Sequence, residues 1–134
     1  MGAYHVTARG VARQDIFRDD DDRRLFVGLL RRATRRWRWH LLAYCLMNNH
    51  FHLVVTTELE RLSRGMHYVN FRYASAFNGR YDRVGHLFQN RFDARVIDAD
   101  EHFVAACAYV LANAERAGIH DWPWRGGELL VDLS

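Results

Sequence analysis

The sequence predicts an α+β fold in which helices pack on an antiparallel sheet of four or five strands. The 134 residues suffice for one domain, and we expect residues 1–134 to form it. Segments with strand periodicity and segments with helical periodicity alternate along the chain. Two of the strand segments are joined by Asn48-Asn49, a pair typical of a tight turn, and should form a hairpin.

The predicted elements follow the order strand, helix, strand, strand, helix, strand, helix. Residues 4–9 alternate apolar and polar side chains, which indicates a strand. The next helix opens with the acidic run 19–22, whose charges suit the positive end of a helix dipole, and extends to Trp37. The other elements are strands at 39–47, 50–57 and 91–97, and helices at 58–78 and from 98 or 100 to 117. This order is that of a ferredoxin-like layer.

The composition excludes several classes of protein. Hydrophobic residues make up 49% and charged residues 26%, as in soluble globular proteins, so general disorder is excluded. The longest uncharged apolar stretch, 41–47, is far shorter than the ~20 residues that span a bilayer. The first residues lack the pattern of a secretion signal, and two cysteines are too few for a disulfide framework. We therefore predict a reduced, cytoplasmic protein with no membrane partner.

Arginine supplies all 19 basic residues, and lysine is absent. The guanidinium group binds phosphate through two parallel hydrogen bonds, and the pI near 9.2 mildly favours a polyanionic partner. Arginines interleaved with aromatic rings can bind single-stranded nucleic acid, whereas a solvated helix face is the alternative interpretation. The candidate DNA-binding residues are Arg35, Arg36, Trp37, Arg38, Arg80, Arg83, Arg91 and Arg116; Trp39, Tyr81 and Phe88 are further candidates for stacking.

A His-Phe-His triplet opens the second strand of the predicted hairpin. Residues two apart in a strand point to the same side, so His50 and His52 should leave one face while Phe51 leaves the other. Two imidazoles placed in this way can hold one metal ion. The alternative is a pair of ordinary surface histidines, because the motif alone is weak.

The last predicted helix has a polar flank beside its apolar stripe. At ~100° per residue, four polar side chains fall together on this flank, and Tyr109 and Asn113 are neighbours one turn apart. The four residues are His102, Tyr109, Asn113 and Arg116. They could form a phosphate site, although an ordinary polar flank with a half-buried tyrosine is the alternative.

Four blocks of the chain, taken together, resemble a known family. The blocks are YHVTARG from residue 4, LMNNHFHL from 46, GHLFQNRF from 85 and YVLANAERAG from 109. In this order they resemble the single-tyrosine HUH transposases, most closely the REP-associated tyrosine transposases. The resemblance covers about residues 4–120. The chain departs from the family pattern at Asn48 and Ala114, where proline is usual.

The resemblance implies a domain that cuts and rejoins single-stranded DNA. His50 and His52 match the histidines of the HUH motif, Asn113 matches a third metal ligand, and Tyr109 matches the nucleophile. The implied cofactor is Mg²⁺ or Mn²⁺, and the implied partners are single-stranded DNA with hairpin ends and, in many members, a second copy of the chain. Tyr109 would form a 5′-phosphotyrosine and release a 3′-OH.

Two other functions remain open at this point. A metal-dependent phosphodiesterase would hydrolyse DNA without an adduct, and Tyr109 would then be structural. A silent module derived from a transposase would bind single-stranded DNA and cut nothing. The four matched residues argue against the silent module, because in such a module all four would be free to drift.

Overall fold

The computed structural model describes residues 1–97, 105 and 125–126. Their order of elements confirms the predicted α+β fold. The elements are β1 (Gly2–Arg9), α1 (Asp20–Trp37), β2 (His40–Leu46), β3 (His50–Thr57), α2 (Leu59–Arg80), β4 (Asp93–Ile97) and β5 (Arg125–Gly126), with a short 3-10 helix at Val11–Arg13. No helix within these residues is long and apolar enough to cross a membrane.

The strands form one sheet in the order β4-β1-β3-β2-β5, and each described pair is antiparallel. β3 occupies the centre, where His52 has Thr7 of β1 on one side and Cys45 of β2 on the other. The predicted hairpin is confirmed, because β2 and β3 pair across the turn that contains Asn48-Asn49. The short strand β5, which pairs with β2, was not among the predicted elements.

The core lies between one face of the sheet and both helices. Phe51, Leu53 and Val55 alternate along β3 and are fully buried in this core. The ring of Phe26 from α1 lies 4.8 Å from the ring of Phe51 and 5.2 Å from that of Tyr73 on α2, so aromatic packing joins the sheet to both helices. We call this side of the sheet the helix face and the opposite side, which carries His50 and His52, the histidine face.

Some boundaries differ from the predicted ones. Trp39 was expected in β2, but Arg38 ends α1 in the left-handed conformation (φ 56°) and Trp39 packs into the core. Its Nε1–H donates to the Arg61 carbonyl at 3.1 Å. α2 continues to Arg80, and β4 begins at Asp93 rather than two residues earlier. The predicted last helix lies outside the described residues except for Ala105, which is helical.

Candidate functional site

The two histidines of the triplet lie side by side at the start of β3. Alternation along the strand places both imidazoles on the histidine face, with ring centres 5.0 Å apart and planes at 79°. A metal–nitrogen distance of about 2.1 Å puts two rings that share one ion, at roughly a right angle, about 4.5–5 Å apart. The observed spacing therefore suits two imidazoles that bind a single ion.

Neighbouring side chains orient each ring. His50 Nδ1 lies 2.7 Å from Asn49 Oδ1, and His52 Nδ1 lies 3.0 Å from Nε2 of His5. A hydrogen bond at Nδ1 sets the ring orientation, and histidine ligands held in this way usually coordinate through Nε2. The contact between His52 and His5 requires one ring to donate and the other to accept.

His5 was not recognised from the sequence. It lies on β1, opposite Val54 and diagonal to His52, and the two rings are 5.2 Å apart. Alternation along β1 indicates that His5 shares a face with Thr7 and Arg9. Only the register between β1 and β3 brings it beside His52, and that register is not visible in the sequence.

Electrostatics favour neutral imidazoles in this cluster. Burial, followed by the charges of His50, His5 and Arg9, lowers the pKa of His52 to about 4. The pKa of His50 is lowered by burial and, to a smaller extent, by the charge of Arg9. The pKa of His5 is lowered by burial and then by Arg95, whereas Asp93 raises it. Because a metal binds the neutral ring, both predicted ligands are in the binding form at neutral pH.

A cleft of about 410 Å³ opens beside the two histidines. Arg9 and Arg91 supply its described cations, and Asp93 its described carboxylate. Thr7 and Ala8 of β1 complete the wall together with Gln89 and Asn90. A phosphate in this cleft would meet two guanidinium groups close to the histidines, which suits a phosphodiester ligand.

The turn that precedes His50 is tied to α1 by a buried arginine. Arg23, 8% exposed, donates through Nη2 to Asn48 Oδ1 at 2.7 Å and through Nε to the Leu46 carbonyl at 3.3 Å. The Asn48 carbonyl accepts from the amides of Ile16 and Phe17. Asn48 stands where the resembled family has proline, and here side-chain hydrogen bonds hold the turn instead.

Two described residues suit the ligand positions of a metal site. The described residues contain no cluster of three His, Cys, Asp or Glu side chains that could hold an ion. His50 and His52 fit two ligand positions by their spacing, orientation and neutral charge. The third predicted ligand, Asn113, and the predicted nucleophile, Tyr109, lie outside the described residues, as does Arg116.

The sequence profile of the family described as "Transposase IS200 like" matches residues 2–113. The chain belongs to the IS200-like transposase family. No curated protein matches it. Its fold is similar to that of a REP-associated tyrosine transposase solved with a REP hairpin, with 15% identity, a TM-score of 0.72, and coverage of 92% of this chain and 75% of that one.

A second solved structure is similar to this transposase. It is a Deinococcus radiodurans R1 protein assigned as a transposase, with 19% identity, a TM-score of 0.56, and coverage of 83% of this chain and 88% of that one. At these identities the two structures establish the fold. The family and the ferredoxin-like α+β architecture predicted from the sequence are confirmed.

The predicted DNA-binding arginines of the transposase fall into three groups. Arg91 lines the histidine cleft. By contrast, Arg80 is bound to Asp19 and Asp22, and Arg83 donates to the Asn78 side chain and the His86 carbonyl, so both link parts of the fold. The third group lies at the end of α1 and comprises Arg35, Arg36, Trp37 and Arg38.

The third group is far from the histidines. α1 begins near the β2–β3 turn, and Arg36 comes 13 residues after Arg23, which corresponds to about 20 Å along the helix axis. The Arg36 guanidinium lies 4.7 Å from the centre of the Trp37 ring. These residues form a separate basic surface at the other end of the sheet, and their role in DNA binding stays a prediction.

Two of the expected stacking residues are buried. Trp39 is 4% exposed and Phe88 is 9% exposed, and both belong to the core. The Tyr81 hydroxyl donates to Asp22, and the Arg18 guanidinium lies 4.1 Å from its ring centre. The expectation that Trp39 and Phe88 stack on bases was wrong, because periodicity does not separate a buried aromatic residue from an exposed one.

Proposed function

We propose that this IS200-like transposase cleaves and rejoins single-stranded DNA through a 5′-phosphotyrosine at Tyr109. The observation that carries the proposal is the pair of neutral, oriented histidines in a cleft with two arginines. In a chain of a transposase family, such a cleft suits a scissile phosphate. We propose likewise that residues 1–134 act as one catalytic domain.

His50, His52 and Asn113 would hold the divalent ion, Mg²⁺ or Mn²⁺. When bound, the ion would polarise the scissile phosphate as a Lewis acid. His5 and Asn49 keep the two rings in the coordinating orientation. Mn²⁺ binds both imidazole nitrogen and amide oxygen, whereas Mg²⁺ prefers ligands that are all oxygen. Mn²⁺ is therefore the better metal ion for the assays below.

The covalent step conserves the energy of the phosphodiester bond. The Tyr109 hydroxyl loses its proton and its oxygen bonds to phosphorus, while the bond from phosphorus to the 3′ oxygen breaks. The departing 3′ oxygen takes up a proton, and the phosphate stays joined to the 5′ carbon of the downstream strand. Attack by another 3′-OH reverses these changes, joins two strands and frees Tyr109.

The arginines of the cleft would bind the strand around the scissile phosphate. Arg9 lies opposite His50 on β1, and Arg91 comes from the segment before β4, so two separate parts of the chain supply the arginines of the cleft. Their positive charges also stabilise the negative charge that develops on the phosphate oxygens during attack. The similar REP-associated transposase was solved with a DNA hairpin, which supports single-stranded DNA with hairpin ends as the partner. A second copy of the chain stays a predicted partner, with a monomer as the alternative that the resemblance leaves open.

A denaturing gel tests this function. The wild-type protein is incubated with Mn²⁺ and a labelled library of single-stranded hairpins, and a labelled band at the mass of a protein–DNA adduct is expected. Tyr109→Phe removes one oxygen and keeps the ring, so it should bind DNA but form no adduct. Cleavage that persists in Tyr109→Phe would favour the phosphodiesterase. DNA binding without cleavage in the wild type would favour the silent module.

A further inference from the structure

A groove of about 840 Å³ lies between α2 and the segment 85–92. It is separate from the histidine cleft, yet Gln89, Asn90 and Arg91 line both cavities. A strand of unpaired nucleotides that leaves the cleft could therefore enter the groove by crossing these three residues. The groove carries no role in the proposed chemistry.

An exposed aromatic platform stands on the helical wall of this groove. His67 and Phe71 are one turn apart on α2, with ring planes within 14° and ring centres 6.3 Å apart. Phe71 is 66% exposed and does not belong to the core. A flat, exposed ring beside a cavity offers a surface on which a nucleobase can stack.

The same wall contains a buried polar atom that no described residue pairs. Asn70 Oδ1 is buried and accepts no hydrogen bond from the described residues. Buried polar atoms in folded proteins are nearly always paired, so this oxygen is available to a ligand. The terminal torsion of asparagine is broad, and the amide can turn toward the groove and offer a donor and an acceptor to the edge of a base.

The charge of the groove favours a nucleic acid over an acidic or neutral ligand. Its described lining contains the cation Arg91 and no carboxylate. Arg91 stands where the groove meets the cleft, so one guanidinium could contact the phosphate that links a nucleotide in the cleft to the next one in the groove.

We propose that this groove binds an unpaired base of the single-stranded DNA substrate. Phe71 and His67 stack on the base, Asn70 bonds to its edge, and Arg91 holds the adjoining phosphate. The proposal rests on the proposed function and deepens it, because it extends the substrate contact beyond the scissile phosphate. It also explains an exposed phenylalanine and, on the same helix, a buried amide oxygen that no described residue pairs.

Fluorescence anisotropy tests the groove in the Tyr109→Phe background, where no cleavage intervenes. The probe is a fluorescein-labelled single strand of about 20 nucleotides of mixed sequence, long enough to cover both cavities. Phe71→Ala should weaken binding about 5- to 100-fold, the usual cost of losing one stacking ring, and Phe71→Trp should restore it. Leu59→Ala, a matched control at an exposed apolar residue of α2 outside the groove, should leave the affinity unchanged.

Equal affinities of Phe71→Ala and Leu59→Ala would overturn the proposal. A second measurement uses a strand with 5-iodouracil, which crosslinks to nearby side chains under ultraviolet light. Peptide mapping should find crosslinks in residues 67–71 or 85–88, which line the groove and not the cleft, and crosslinks confined to other segments would also overturn the proposal. If the wild-type protein forms no adduct but Phe71→Ala still weakens DNA binding, the proposed function is contradicted and the groove is supported as a DNA-binding site.

Discussion

His52 is the most constrained side chain of the candidate site. It lies in the central strand, is 8% exposed, and contacts imidazoles on both sides, His50 on its own strand and His5 on β1. His52 Nδ1 lies within hydrogen-bond distance of His5 Nε2. If His52 is to bind the ion through its own Nε2, its proton must be on Nδ1. His5 Nε2 then accepts this proton's hydrogen bond, and neutral His5 carries its own proton on Nδ1. His5 thus acts as a positioning residue for a predicted ligand.

Replacing His5 by phenylalanine should weaken metal binding while the fold survives. The ring volume is kept, but the partner of His52 Nδ1 is lost, and such partners typically contribute 10- to 100-fold in metal affinity. Calorimetric titration with Mn²⁺ measures the change. His40→Phe is the control, since His40 lies on the same face at the other end of β2. Equal affinities of the two variants would show that His5 does not position His52.

The sequence was sufficient to identify the histidine pair but not its surroundings. Alternation over residues 50–57 placed His50 and His52 on one face, and the described strand has this arrangement. His5 and Arg23 were missed as site residues because their contacts cross 47 and 25 positions of the chain. Such contacts follow from strand register and helix packing, which local periodicity does not encode.

At the scale of the elements, the two helices are joined to each other by contacts near their ends. Asp19 caps α1 by accepting from the Asp22 amide at 2.9 Å, and it also binds Arg80 at the end of α2. Near the start of α2, Gly65 faces the Trp39 ring, where an added Cβ would lie 2.2 Å from the nearest ring atom. The ends of the two helices are thus fixed by one charged contact and one close apolar contact.

Gly65→Ala should lower the free energy of unfolding by about 1–3 kcal/mol, because the added methyl group overlaps the Trp39 ring. Gly79→Ala is the matched control on the same helix. Its Cβ would meet nothing within 4 Å, so the higher helix propensity of alanine should stabilise the protein by up to ~1 kcal/mol. Urea unfolding measures the free energy of unfolding of both variants. Changes of the same sign would contradict the close contact between Gly65 and Trp39.

The contact between Asp19 and Arg80 predicts a pH dependence. The Asp22 amide and then the Arg80 side chain hold the pKa of Asp19 below its usual value. The stabilisation is therefore fully present above the unfolded pKa near 3.9 and is lost as the pH falls through the lowered folded value. Asp19→Asn keeps a capping side chain and removes the charge, so it should be less stable than wild type at pH 7.

Thermal unfolding at a series of pH values measures this difference. The gap in midpoint between wild type and Asp19→Asn should close as the pH falls below about 4. A gap that is constant from neutral to strongly acidic pH would mean that the Asp19 charge contributes nothing to stability.

At the scale of the whole molecule, two groups of exposed arginines that could meet DNA lie on distant surfaces. One surrounds the histidine cleft, with Arg9 and Arg91, and the other lies at the end of α1 around Arg36 and Trp37. Periodicity placed the second group on α1 correctly, but it could not show that the group lies about 20 Å from the histidines along the helix. The described cleft therefore depends on fewer arginines than the sequence suggested.

Binding to single-stranded DNA should exceed binding to a duplex of the same sequence, because stacking on Phe71 or Trp37 requires unpaired bases. Affinity should also fall with salt, since arginine–phosphate contacts release counterions. Three phosphate contacts correspond to about a 20-fold loss between 50 and 200 mM salt. A salt titration with both substrates measures both effects, and equal affinities or a flat salt response would contradict the account.

The central claim is that Tyr109 becomes covalently joined to the 5′ end of cleaved DNA, and mass spectrometry of the adduct tests it most directly. Trypsin cuts after Arg95 and Arg116, and the peptide 96–116 contains Tyr109 as its single tyrosine. After nuclease trimming of the adduct, this peptide should gain the mass of a nucleotide phosphate, and Tyr109→Phe should abolish the modified peptide. DNA cleavage that leaves peptide 96–116 unmodified, or a nucleotide found on another peptide, would contradict the mechanism.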